Sequence, residues 1–252
     1  MSTKKQNKLK IVEGSSPETY KSYPGKKLTQ HDLESFPNPT TPQKQYIESH
    51  YSNTPVILQL GSAGTGKTAI ALHCSLSDVF DNSSPYDKIA IFRSAVQGRE
   101  IGHLPGDQGE KNESYEGPYE SLCDELLKFK SNNYENLKAA GYVEFYNTSF
   151  LRGRTFNDTI MIVDECQNMN YGELSTLMTR VGVRSKIIFC GDVRGKQNDL
   201  HKRGDDSGLE QFLAVVSKMA SHTNDVVIYT PHDIVRSGIV KEFLLAEELV
   251  EG

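Results

Sequence analysis

Val56-Ile-Leu-Gln-Leu60-Gly61-Ser62-Ala63-Gly64-Thr65-Gly66-Lys67-Thr68-Ala69 is the stretch from which the rest of this 252-residue chain is read. Its first five residues are mostly apolar and read as a buried strand, and Lys67 opens a segment to Val79 with apolar residues at helical spacing. Between them, residues 61–68 satisfy GxxxxGK[ST] at every defined position, in the strand-loop-helix setting that the chemistry of that motif needs. Glycines let backbone N–H groups curl around phosphate oxygens with no Cβ in the way, and the helix N-terminus adds the positive end of its dipole. Gly61, Ser62, Ala63, Gly64, Thr65, Gly66 and Ala69 are therefore expected to cradle a nucleotide's phosphates. Lys67 would reach the β and γ phosphates, and the Thr68 hydroxyl would bind Mg2+. The chain reads as a P-loop nucleoside triphosphatase, with ATP as the nucleotide.

Working outward, apolar runs recur at Val56 to Leu60, Lys88 to Phe92, Val143 to Tyr146, Thr159 to Val163, Lys186 to Cys190 and Val226 to Tyr229. Helical patterns lie at Gln43 to His50, Lys67 to Val79, Pro118 to Phe129, Tyr171 to Val181, Leu209 to Ala220 and Asp233 to Glu248. Strands this uniformly apolar, alternating with helices, imply an α/β fold with a mainly parallel sheet and helices on both faces. Ligands then bind beyond the strands' carboxyl ends. Ala95 to Tyr115, polar and glycine-rich, reads as a long excursion over that same edge. Residues 1–40, rich in Lys, Ser, Pro and Thr, read as a flexible or draped extension, and 41–252 as one domain.

A second motif, Ile160-Met-Ile-Val-Asp164-Glu165, is an apolar strand ending in two carboxylates. Burying such a pair is costly unless a cation waits there. Placed after a P-loop, it reads as the Mg2+-holding acid Asp164 followed by Glu165, which would orient and deprotonate the attacking water. Lys186 to Asp192 is again an apolar strand ending in a polar group. Beside the first strand, Asp192 or the amide of Gln197 would sense the γ-phosphate or the lytic water; without the other motifs, Gly191-Asp192 reads more simply as a turn.

The formal charge of −5 argues against a surface that is basic all round, while leaving room for a local basic groove. The four cysteines form no CxxC pair and fall inside apolar patterns, which favours reduced core thiols over disulfides or zinc. No apolar run approaches a membrane span, and the basic N-terminus is followed by polar residues rather than the apolar middle of a secretory signal, so a cytoplasmic address is expected. A guanine-reading NKxD-type segment is missing, which disfavours a GTPase, and an acidic residue after the metal Asp favours water over a second substrate as phosphoryl acceptor.

Taken together, the motifs resemble those of the phosphate-starvation-inducible PhoH-like ATPases, whose core is similar to the RecA-like first domain of superfamily 1 helicases. The resemblance runs through GSAGTGKT, Arg93 to Asp107 with Glu110-Lys111 and Pro118-Tyr119, Leu151 to Thr155, IVDECQN, the Gly191-Asp192 pair and Asp233-Ile-Val-Arg236, and covers roughly Gln43 to Val240. It implies a single RecA-like P-loop domain and an ATPase connected with RNA or single-stranded DNA, similar to the short versions carried by bacteriophages. It also implies site residues that spacing leaves silent. Gln43 matches the adenine-side glutamine of the family, and Arg236 matches a late arginine that would complete a neighbour's site, in a homo-oligomer of hexameric-ring type. Arg93, Arg99, Arg152 and Arg154 would line a groove tracking nucleic-acid phosphates, or stand as solvated charges. One departure is an apparent two-residue insertion after Asp192, which displaces Gln197 from the family's position. A non-motor ATP-dependent switch or binding module is the competing reading, because one P-loop and one core are present where a superfamily 1 motor uses two.

Overall fold

The computed structural model describes residues 27–36, 38–52, 54–94, 108–129, 132–148, 153–192 and 207–251. The six apolar runs become strands β1 (Val56–Gly61), β2 (Lys88–Arg93), β3 (Val143–Asn147), β4 (Thr159–Asp164), β5 (Lys186–Gly191) and β6 (Asn224–Tyr229). Seven helices accompany them among the described residues: α1 (Thr41–Tyr51), α2 (Lys67–Phe80), α3 (Gln108–Leu126), α4 (Asn133–Ala139), α5 (Tyr171–Met178), α6 (Leu209–Val216) and α7 (Gly238–Glu251). The strands form one sheet in the order β3-β2-β4-β5-β1-β6. Every pairing in it is parallel. Their carboxyl ends therefore share one rim, where Arg93 stands in register with Asp164 and Leu60 with Gly191.

The uniform apolarity of the strands follows from burial on both faces: β1, β4 and β5 are buried at every residue. Because side chains alternate along a strand, Ile57, Ile91, Ile162 and Ile188 meet Ile70 of α2, Tyr119 of α3 and Leu137 of α4 on one face. Leu58, Phe92, Val163 and Phe189 meet Leu174 and Leu177 of α5 and Phe212 of α6 on the other. Each fully buried side chain of this size stabilises the fold by roughly 1.5–3 kcal/mol.

Four departures from the expected helices have a local cause; α6 also ends at Val216, short of the expected Ala220. α3 starts at Gln108 and carries Pro118 in its interior, so part of the expected excursion is helical. A proline there removes one backbone hydrogen bond, and the burial of Tyr119, Cys123 and Leu126, spaced for one helical face, holds the remainder in place. α5 stops at Met178 because Val181 turns to pair with Phe156. The final helix is split. Asp233 accepts from both the backbone N–H and the hydroxyl of Thr230 in a short 3-10 turn, Pro231–Asp233, and the N–H of Val235 is spent on Gly64 O at 3.0 Å. Helical geometry resumes only at Gly238. α4 was not expected, and its seven residues are too few to show a period.

Candidate nucleotide site

β1 delivers Gly61 to the rim with φ 132°, where an added Cβ would lie 1.9 Å from Tyr229 O. Gly64 and Gly66 also have positive φ, 72° and 77°. A Cβ on Gly66 would meet the Gln43 amide nitrogen at 3.0 Å, and one on Gly64 would meet Arg236 Cγ at 3.1 Å. The glycines are thus required twice, by backbone conformation and by neighbours pressed against the loop. Gly66 is the N-cap of α2, so the first turn of that helix opens at the loop.

Lys67 Nζ donates to Gly61 O at 2.9 Å and Ser62 O at 2.8 Å. Burial lowers the pKa of this amine, while Cys190, Asp192, Glu165 and Asp164 pull it back up. The Thr68 hydroxyl donates to Asp164 Oδ1 at 2.7 Å, and the Tyr119 phenol donates to Oδ2 at 2.8 Å. Burial, reinforced by the Asp164 charge, raises the Tyr119 pKa well above its usual value and keeps it a donor. Glu165 follows in the left-handed region, φ 50°. Its pKa is raised by burial and by the adjacent Asp164 charge, against the pull of Gln167, Arg93 and Lys67. Asp192, at the end of β5, is 8% exposed.

These groups line one cavity of about 640 Å³, walled by the P-loop, Arg93, Tyr119, Asp164, Glu165, Asp192, Val235 and Arg236. β1 supplies the loop, β4 the carboxylates, and β5, paired between them, supplies Asp192. Such a volume suits a small polyanionic ligand, and the arrangement offers it backbone amides, one half-buried ammonium and one carboxylate–hydroxyl pair.

The other expected site residues are distributed unevenly. Gln43 is 1% exposed. Its carbonyl accepts the Thr40 N–H and its NH2 donates to Thr65 O, both at 2.9 Å, which leaves one N–H and one lone pair of the amide. Arg236, expected to reach into a neighbour's site, lines the cavity of its own chain. Arg93 lies in this cavity too. Burial opposes its charge, but Tyr119, Asp164 and Glu165 more than offset that and raise its pKa. Arg154 is exposed and stands away from the cavity lining, its Nη1 donating to Tyr146 OH at 2.6 Å and its guanidinium 5.1 Å from the Tyr146 ring centre. Gln197, Arg99 and Arg152 lie outside the described residues.

Three contributors escaped the sequence reading. Tyr119 was visible only as part of a motif. Gln59 is a polar residue in the middle of an apolar strand, and that interruption was its signal. Its amide donates to Lys67 O at 3.2 Å and accepts from Tyr229 OH at 2.6 Å, tying the start of α2 to β6. Gln167, 2% exposed, lies between Glu165 and Asp192.

A family profile described as "PhoH-like protein" matches residues 37–248. The PhoH-like protein of Mycobacterium leprae is 31% identical over 209 residues, covering 81% of this chain and 56% of that protein. The PhoH-like protein of Bacillus subtilis is 32% identical over 211 residues, covering 82% of this chain and 62% of that one. The chain thus spans little more than half the length of these relatives. Among solved structures, a Sulfolobus solfataricus SWI2/SNF2 ATPase core in complex with dsDNA aligns with a TM-score of 0.42 at 11% identity, covering 81% of this chain and 46% of that chain.

Proposed function

The chain belongs to the PhoH-like family, and from that premise we propose that it binds ATP with Mg2+ at the rim of the sheet and hydrolyses it, in a cycle coupled to RNA or single-stranded DNA. The observation that carries this reading is the Thr68–Asp164 pair at 2.7 Å, set beside Lys67 with Glu165 as the next residue along. Mg2+ keeps several waters and takes one or two carboxylates together with substrate phosphates, so a single hydroxyl–carboxylate pair fits it. The bound ion would neutralise charge on the β and γ phosphates.

The remaining chemistry falls to the chain's own groups. The loop amides and the start of α2 bind phosphate oxygens. Lys67, now held by two carbonyls of the loop, exchanges them for phosphate oxygens without leaving the cradle. Asp164 is fixed by two hydroxyl donors and faces the metal position. Glu165 takes the proton from the attacking water, a role for which a raised carboxylate pKa suits it. Arg93 and Arg236 offer positive charge from opposite walls, and Arg236 serves the nucleotide of its own chain. Gln43 as the adenine-side glutamine is drawn from the family; its amide lies against the back of the loop, bonded to Thr40 and Thr65.

Coupling to nucleic acid draws on the family and on Arg154, whose exposed guanidinium over Tyr146 pairs a phosphate-binding charge with an aromatic face. Assembly as a homo-oligomer, a hexameric ring, is likewise drawn from the family. The competing reading, an ATP-dependent switch without unwinding, is favoured by the single sheet and single P-loop among the described residues.

Lys67→Ala should abolish ATP turnover and weaken nucleotide binding, whereas Glu165→Gln should keep binding and lose turnover. Turnover surviving in either variant would refute the assignment. The wild-type rate measured with and without single-stranded RNA at several salt concentrations separates the two readings: salt-dependent stimulation supports coupling, and its absence supports the plain switch.

A further inference from the structure

Glu165 begins from a backbone position that neither strand nor helix orients. Its φ of 50° places it in the turn between β4 and the 3-10 segment Cys166–Asn168. Something else must aim its carboxylate. Gln167 Nε2 donates to Glu165 Oε2 at 2.5 Å, and Gln167 Oε1 accepts the backbone N–H of Asp192 at 3.0 Å. The amide fits only one way round, because the Asp192 N–H requires an oxygen and the carboxylate requires a donor.

The contact between these two strand ends is also close-packed. A Cβ on Gly191 would lie 2.4 Å from Cys166 Sγ and 3.1 Å from Gln167 Oε1. No side chain can stand between β5 and the turn, so the amide link between them is direct.

We infer that Gln167 is a positioning residue for hydrolysis, holding one carboxylate oxygen of Glu165 against the end of β5 and leaving the other for water. This rests on the reading of Glu165 as the group that activates water. Its consequence is that Asp192, on the cavity wall, and Glu165 move together. A shift of the β5 end on the phosphate side is passed to the carboxylate through two hydrogen bonds. The sequence reading offered Asp192 or the amide of Gln197 for such sensing; the amide that bridges the two strand ends is thirty residues before Gln197 in the chain.

The test uses Gln167→Glu and Gln167→Ala in the full chain. The first keeps an oxygen for the Asp192 N–H but replaces the donor facing Glu165 with an acceptor. The second removes both bonds. Both should lower kcat for ATP on the order of tenfold to a hundredfold, the loss expected for a charge-assisted hydrogen bond. The KM and the affinity for a non-hydrolysable ATP analogue should stay at wild-type values; Gln167→Glu should melt below wild type because it buries a second carboxylate against Glu165, and Gln167→Ala carries the test if that variant fails to fold. Unchanged kcat in Gln167→Glu, or a loss confined to KM or affinity, would overturn the inference. A wild type that binds ATP yet never hydrolyses it would instead bring down the proposed function.

Discussion

His50 is wholly buried at the end of the molecule away from the cavity, with Tyr46 OH 2.9 Å from Nδ1 and Asp78 Oδ2 2.9 Å from Nε2. The phenol, whose pKa burial raises well above the usual value, donates to Nδ1, and Nε2–H donates to Asp78; both bonds are satisfied by a neutral ring. Lys186, 1% exposed, donates from Nζ to His50 O at 2.6 Å. Burial lowers the His50 pKa and the Lys186 charge adds to the effect, while the Asp78 hydrogen bond opposes it. The sign for stability follows from proton counting. Below the ordinary histidine value of 6.5, the unfolded chain binds a proton that the folded ring refuses, so stability is full above that pH and falls as pH drops through it. His73, lowered by burial and partly restored by the Glu34 carbonyl, adds in the same direction. We therefore expect the melting temperature to fall between about pH 7.5 and pH 5.5, with a shallower slope in His50→Gln. An identical slope in that variant would show that His50 is not the group responsible.

Where β1 meets the loop, the decisive constraint belongs to the element rather than to any ligand contact. β6 pairs with β1 through to Gly61↔Tyr229, and the Tyr229 carbonyl also accepts the Ser62 N–H at 3.3 Å. Gly61→Ala would place a methyl group 1.9 Å from that carbonyl at φ 132°, so the strand end must part or the loop must re-form. Destabilisation by more than about 2 kcal/mol is expected, measurable as a lower urea midpoint; an unchanged midpoint would mean that the loop relaxes freely. The same contrast between local and assembled information explains what the sequence disclosed. The six strands were legible because burial on both faces makes them continuously apolar. Lys67, Thr68, Asp164 and Glu165 were nominated by spacing within a single strand and its following loop. The start of α3 was hidden because it falls within Ala95 to Tyr115, whose polar, glycine-rich composition reads as a loop. The partners of Asp164 and Glu165 were hidden because Tyr119 comes from the helix after β2 and Gln167 acts on Asp192 from another strand, contacts that only the sheet order creates.

On the scale of the whole molecule, that order closes the domain on itself. β6 lies on the far side of β1 from β5, so the segment leaving it crosses back over the P-loop, with Val235 N–H on Gly64 O and Arg236 packed beside Gly64. α1 approaches the same loop from the other end of the sequence, through Gln43 on Thr65. The walls of the cavity therefore come from early, middle and late parts of one chain, and we expect a site built this way to operate within each subunit of any ring. Mixing equal amounts of two inactive variants, Lys67→Ala and Arg236→Ala, distinguishes this from a shared site. If Arg236 serves its own chain, no mixed assembly contains a site with both groups intact, and the mixture stays as inactive as its components. If Arg236 instead completes a neighbour's site, random co-assembly in a head-to-tail ring restores about a quarter of the sites. The packing of Arg236 against its own Gly64 leads us to expect no recovery, and ATP turnover rising with the mixing time of the two proteins would assign that arginine to the adjacent subunit.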